Sequence, residues 1–143
     1  MDSFVVKNDV AEALADSRPV VALESTLISH GLPAPHNLQT AQKAETVIRA
    51  GGAVPATIAV IDGQVRVGLS ASELERLADT NNPWKVSRDN LATAIAQNAS
   101  GGTTVAATML CPNQARTGVF ATVRLGGVPR RRPQSLHLPP HPR

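Results

Sequence analysis

Aromatic residues are nearly missing from this chain: no tyrosine, one tryptophan (Trp84) and two phenylalanines (Phe4 and Phe120) in 143 residues. A platform that stacks on single-stranded nucleic acid needs exposed rings, so that class of function is disfavoured. The single cysteine, Cys111, excludes an intramolecular disulfide framework and a cysteine-rich zinc site. No apolar run is long enough for a membrane span, and the start lacks the basic-then-apolar order of a signal peptide. The expectation is a cytoplasmic protein with no membrane partner.

Acid is missing from one end. Residues 1–113 hold 8 Lys and Arg against 11 Asp and Glu, whereas 114–143 hold six Arg and no acid. The formal net charge of +3 therefore averages two unlike pieces. Five of the eleven prolines fall in the final fifteen residues, where no helix or strand period survives. A break this sharp places a boundary, with one folded unit over 1–122 and a basic Pro/Arg-rich tail over 123–143, disordered if nothing binds it. Arg130, Arg131 and Arg132 offer charge for nucleic-acid phosphates, but no motif accompanies them, and a solvated tail is the preferred reading.

What is present is an alternation of helical and strand patterns, which makes the class α/β. Asn8 or Asp9 is placed to cap a short helix over Val10–Asp16, which Arg18-Pro19 ends. Val20–Leu23 reads as a strand, and Pro35 fits the opening turn of a helix reaching Ala50, with Leu38, Ala41, Ala44, Val47 and Ile48 inward. Pro55–Ile61 is an apolar, β-branched run expected to be buried on both faces. Asp62-Gly63 then marks a hairpin to Gln64–Val67. Ser70 and Glu73 form a capping box for a helix over Ala71–Ala78. Trp84–Ser87 reads as a brief strand, and Ser87 as the cap of a helix near Asp89–Gln97. Thr103–Ala107 is a strand or strand-to-helix turn, and Thr117–Thr122 a further strand.

The stretch VVALESTLISHGLPAP (Val20–Pro35) is the place to look for chemistry, because its apolar strand stops at a carboxylate, Glu24. In open α/β sheets, ligands bind beyond the carboxyl ends of the strands. A partly desolvated carboxyl there suits proton transfer, although capping the next turn or pairing with Lys85 or an arginine is the alternative. Ser25 and Thr26 can donate to a phosphate or sugar oxygen, or simply bond within the turn. His30 has no second ligand at metal spacing, so orienting its loop is the preferred role. Lys85, on a strand between Trp84 and Val86, either reaches to solvent or holds an anion such as phosphate. Gly101-Gly102-Thr103-Thr104 is a weak match to a phosphate-binding bend, lacking the lysine and spacing of a P-loop. Cys111 has no activating partner and reads as a spectator.

The segments VVALESTLISHGLPAPHNLQTA, GGAVPATIAVIDGQVRVGLS, KVSRDNL, GGTTVAATM and GVFAT occur here in one order. In that order and spacing they resemble the N-terminal part of the pseudouridine-5′-phosphate glycosidase family, which includes indigoidine-cluster homologues, over roughly residues 5–120. The resemblance implies an α/β/α layered domain, a homotrimer and manganese at the active site. It implies reversible cleavage of the C–C glycosidic bond of pseudouridine 5′-phosphate to uracil and ribose 5-phosphate, a glycosidase acting as hydrolase or lyase. By the same resemblance Glu24 of the ALEST motif is the proton donor, while Lys85 of KVSR and Val105 of TTVA contact substrate.

The chain departs from the family after GVFAT. In place of a glycine-rich segment and an FDISADL-like stretch it reads VRLGGVPRRRPQSLHLPPHPR. His137 falls where the metal-binding aspartate is expected, and Pro139-Pro140-His141 replace a substrate-contacting Ser-Ala-Asp. No metal ligand can therefore be assigned. Pro112 is expected to break the helix of its region. The nucleophilic lysine implied for the family has no counterpart, since no lysine follows Lys85. The sequence thus reads as the N-terminal part of a glycosidase domain, truncated and inactive as it stands. The sudden gain of Arg, Pro and His is what an out-of-frame reading of a GC-rich gene would produce. A sugar-phosphate-binding remnant without catalysis, or a basic-tailed nucleic-acid binder, are the alternatives.

Overall fold

The strand β3 (Val54–Ile61) is the axis of a seven-stranded sheet, and seven of its eight residues are buried. The computed structural model describes residues 3–115 and 119–122, so the tail expected over 123–143 lies outside the described residues. Ala56, Ile58 and Val60 project into one core with Val10 of α1 (Asn8–Ala15), Ala94 of α4 (Leu91–Ala96) and Cys111 of α5 (Val105–Ala115). Ala59 and Ile61 project into another with Ala41 of α2 (His36–Ala50) and Leu74 and Leu77 of α3 (Ala71–Asp79). The two-residue period of β3 thus feeds two cores, one per face, and the result is a layered α/β/α arrangement.

One edge of β3 pairs antiparallel with β4 (Gln64–Val67), which pairs in parallel with β1 (Phe4–Val6). The expected hairpin joins β3 to β4: Asp62 and Gly63 have φ of 48° and 73°, the left-handed values a type I′ turn needs. Two hydrogen bonds from the Arg76 guanidinium, 2.6 and 2.9 Å, hold the Asp62 carboxyl below the usual carboxylate range.

The other edge of β3 changes partner midway. β2 (Val20–Leu23) runs parallel to it and stops opposite Thr57, while β7 (Val119–Ala121) extends the sheet beyond β2. β6 (Gly101–Thr103) arrives from the opposite direction, antiparallel to Ala59 and Val60, and β5 (Trp84–Val86) pairs in parallel with β6. The Ile58 carbonyl falls in the gap between β2 and β6. Two hydroxyls fill it: Ser25 Oγ donates at 2.5 Å and Thr103 Oγ1 at 2.6 Å. Ser25 Oγ also accepts the Thr103 N–H at 2.9 Å, and the Ser25 N–H donates to the Thr103 carbonyl at 3.1 Å. Ser25, Thr103 and Thr108 are fully buried, and the two threonine hydroxyls share a further bond of 2.8 Å.

Several local expectations are corrected. The first helix starts at Asn8 with Lys7 at its N-cap, without the side-chain cap expected from Asn8 or Asp9. Leu27–Gly31, expected as loop, is a π-helical turn that buries Ile28. Val47 is 63% exposed because the buried stripe of α2 runs through Asn37 and Ala41 instead. Asn90, not Ser87, precedes α4, and its Oδ1 accepts from the Ser87 N–H at 2.7 Å. α5 continues through position 112, where the proline removes one backbone donor without ending the helix. The capping box of α3 forms as expected, Ser70 and Glu73 each accepting the other's N–H.

Replacing Ser25 by alanine strips the Thr103 N–H of its acceptor and one donor from Ile58. An orphaned buried donor costs about 1–3 kcal/mol. Urea unfolding of Ser25→Ala is expected to show a loss of that size, and an unchanged midpoint would show that the junction does not hold the sheet together.

Candidate functional site

Because β2 and β6 meet head to head, their carboxyl ends lie at one place, and β5, parallel to β6, ends beside them. The Thr104 N–H donates to the Val86 carbonyl at 2.8 Å, tying the end of β5 to the start of α5. Thr104 Oγ1 accepts the Ala107 N–H at 3.2 Å, as an N-cap side chain does. Glu24 therefore follows the end of β2 and Val105 opens α5 just after β6, while Lys85 is the middle residue of β5. This is the crevice position where open α/β sheets bind ligands.

Glu24 is half-buried and makes no ion pair among the described residues. Its Oε2 accepts a short hydrogen bond from the Thr26 hydroxyl, and its Oε1 a long one of 3.5 Å from Thr122. Of the alternatives open from the sequence, local turn bonding is realised through Thr26, and among the described residues there is no pairing with Lys85 or an arginine. The carboxylate lines an open cleft walled by Leu23, Leu27, Ile28, Ala41, Ala44 and Ala121, with Thr57 and Thr122 as its other polar residues. A carboxyl group in an apolar recess, steered by hydroxyls, can deliver or accept a proton.

Lys85 and Val105 do not line that cleft. Lys85 is exposed, pairs in register with Gly102, and meets no carboxylate among the described residues. Of its two readings, the structure leaves the ammonium at the surface and open to an anion. Val105 is half-buried at the first turn of α5. His30 is exposed within the π-helical turn, and its Nδ1 lies 2.6 Å from Ser29 Oγ. Ser25 serves the sheet junction and is not available to a ligand.

Gly101 and Gly102 do not form a phosphate-binding bend; they are buried in β6. Their smallness has a packing cause. A Cβ on Gly102 would lie 2.6 Å from the Ser25 carbonyl oxygen and against Ser29 Oγ, and one on Gly101 would strike the Trp84 backbone. The glycines let the Ser25–Ser29 turn and β5 close onto β6. Sequence reasoning also missed the pair formed by Thr57 Oγ1, which donates at 2.7 Å to Glu45 Oε1 of α2. A lone polar residue inside an otherwise apolar strand was its only signal. Among the described residues no group of three or more His, Cys, Asp or Glu is placed to hold a metal ion. No helix among them is long and apolar enough to cross a membrane.

The family model for indigoidine synthase A-like proteins matches residues 9–138. The chain belongs to that family. Among its relatives, the pseudouridine-5′-phosphate glycosidase of Rhodospirillum centenum is 57% identical over 129 residues, which are 90% of this chain and 40% of that protein. The glycosidase of the same name from Geobacillus kaustophilus is 47% identical over 137 residues, 96% of this chain and 46% of its own length. Among solved structures, the prealnumycin C-glycosynthase AlnA in complex with ribulose 5-phosphate superposes with a TM-score of 0.73 at 41% identity, over 82% of this chain and 37% of its own. An indigoidine synthase A-like protein from Thermotoga maritima gives 0.72 at 25% identity, over 82% and 38%. The family and the α/β fold inferred from the motifs are thereby borne out. The chain spans less than half the length of the curated relatives it matches.

Cys111 is buried, with its Sγ 3.3 Å from the Ala107 carbonyl, and burial pushes its thiol up to about 11. A thiol held neutral is a poor nucleophile. At pH 8 the native chain is expected to react with a disulfide reagent about a hundredfold more slowly than the urea-unfolded chain. Equal rates would contradict the placement of this residue in the core.

Proposed function

We propose that this chain forms the proton-donor part of a C-glycosidase that reversibly cleaves pseudouridine 5′-phosphate to uracil and ribose 5-phosphate. The observation that carries the reading is Glu24 at the junction of β2 and β6, half-buried in an apolar cleft and free of ion pairs among the described residues. Breaking a carbon–carbon glycosidic bond by hydrolysis leaves a base carbon that must take up a proton and a sugar carbon that must take up oxygen from water. A carboxyl held in an apolar recess suits the first task. Lys85, exposed and without a carboxylate partner, suits the sugar phosphate. Val105, one residue after the β6–α5 turn, would supply apolar contact beside it. Relatives named as pseudouridine-5′-phosphate glycosidases and a structural neighbour that holds ribulose 5-phosphate support a sugar-phosphate substrate.

Covalent catalysis through an imine needs an amine held against the sugar carbon. No lysine follows Lys85 in these 143 residues, so we assign them no such nucleophile and expect them to be inactive by themselves. A homotrimer and manganese remain part of the proposal on the strength of the resemblance alone, and a cytoplasmic location on the sequence reading alone.

The test is uracil release from pseudouridine 5′-phosphate, with manganese present. The isolated chain is expected to release none. A chimaera joining residues 1–122 to the remainder of the Rhodospirillum centenum glycosidase is expected to be active. In it, Glu24→Gln should lower kcat by about 10²–10⁴-fold. Folded but silent chimaeras, or an indifferent Glu24→Gln variant, would overturn the reading.

A further inference from the structure

Thr26 stands at the N-cap position of the π-helical turn Leu27–Gly31, yet its side chain makes no capping hydrogen bond. A hydroxyl in that place ordinarily accepts a backbone N–H of the turn it precedes. Here the turn is closed from one residue earlier. The Ser25 carbonyl accepts the Ile28 N–H at 3.0 Å and the Ser29 N–H at 3.2 Å, and Ser29 Oγ donates to it at 3.4 Å. At the far end the Leu32 N–H donates to the Leu27 carbonyl at 3.2 Å. The turn therefore does not need the Thr26 hydroxyl, which reaches back two residues and donates to Glu24 Oε2.

Glu24 gains from such a restraint. Its backbone is held because the next N–H, that of Ser25, donates to the Thr103 carbonyl. Its side chain is only half-buried and, as a glutamate, has rotamer freedom to lose. The two carboxyl oxygens are treated unequally: Oε2 takes the Thr26 hydroxyl, and Oε1 a long contact of 3.5 Å from Thr122. In a protonated carboxyl the carbonyl oxygen is the better acceptor, so the oxygen that Thr26 engages is the carbonyl one and the proton falls to Oε1. Once that proton has left, the same hydroxyl bonds a charged acceptor, which is the stronger bond.

We infer that Thr26 is a positioning residue for the proton donor: it clamps Oε2, fixes the rotamer of Glu24 and leaves Oε1 to carry the transferred proton. The inference rests on the glycosidase reading for the reaction, and on the Thr26–Glu24 pair and the independently closed turn for the clamp. In that reaction the O–H bond at Oε1 breaks and its electron pair stays on the carboxylate. The proton forms a C–H bond on an electron pair of the base.

Side-chain NMR couplings in the intact chain read the clamp without any turnover. Glu24 is expected to hold one χ1 rotamer in the native sequence, to average between rotamers in Thr26→Val, and to return to one in Thr26→Ser. The Ile28 and Ser29 amides should stay as protected from hydrogen exchange in Thr26→Val as in the native chain. Loss of that protection would show that the hydroxyl serves the turn, and would overturn the inference. In the chimaera, Thr26→Val is expected to lower kcat about ten- to a hundredfold at unchanged KM, with Thr26→Ser restoring most of the loss. A single Glu24 rotamer in Thr26→Val, an unchanged kcat, a KM that rises instead, or a serine variant no better than the valine one would each overturn it. If Glu24→Gln leaves the chimaera indifferent while the Glu24 rotamer still depends on Thr26, the glycosidase reading fails and the clamp stands.

Discussion

One buried carbonyl organises this structure. At Ile58 the edge of β3 passes from β2 to β6, and neither strand can supply a backbone donor at the changeover. Water cannot reach the gap, so side chains must close it, and Ser25 and Thr103 do so with paired hydroxyls. Buried polar groups that all find partners specify a single arrangement, whereas an apolar substitute would let the strand ends slide. The same closure dictates glycine at 101 and 102, because the Ser25–Ser29 turn and β5 must approach β6 at backbone distance.

The chemistry follows from that junction. Glu24 precedes the serine that is locked to Ile58, so the carboxylate has little freedom to leave the end of β2. Thr103 on the other side leads directly into α5, with Val105 at its first turn. Charge is then divided between two regions. The cleft holds a carboxylate among apolar side chains and hydroxyls, and Lys85, which meets no carboxylate among the described residues, stands on β5 outside it.

Much of this was legible in the sequence because strong local signals acted alone. β-Branched apolar runs gave β2 and β3, Asp62-Gly63 gave the hairpin, and Ser70 with Glu73 gave the capping box. Glu24 stood out because an apolar strand ending in a carboxylate has few reasons to exist. What was illegible depended on tertiary partners. Nothing near Ser25 announces that it will bond a carbonyl 33 positions away, or that Thr103 will join it from 45 away. Gly101-Gly102 looked like a phosphate bend because its true cause, contact with Trp84 and Ser25, lies elsewhere in the chain. The π-helical turn at Leu27–Gly31 has no sequence period of its own and forms because Ile28 must reach the core. Thr57 looked like one polar break in a buried strand until α2 placed Glu45 against it.

The central claim is that the Ser25–Thr103–Ile58 junction is part of the most stable core and holds Glu24 in place. Native-state amide hydrogen exchange measures this directly, because it reports the free energy of opening at each N–H. The Ser25 and Thr103 amides are expected to exchange only with global unfolding, at the rate of the central β3 amides. Exchange at those two sites through a local opening, much faster than Ile58 and Val60, would mean that the strand ends part freely and that the account is wrong.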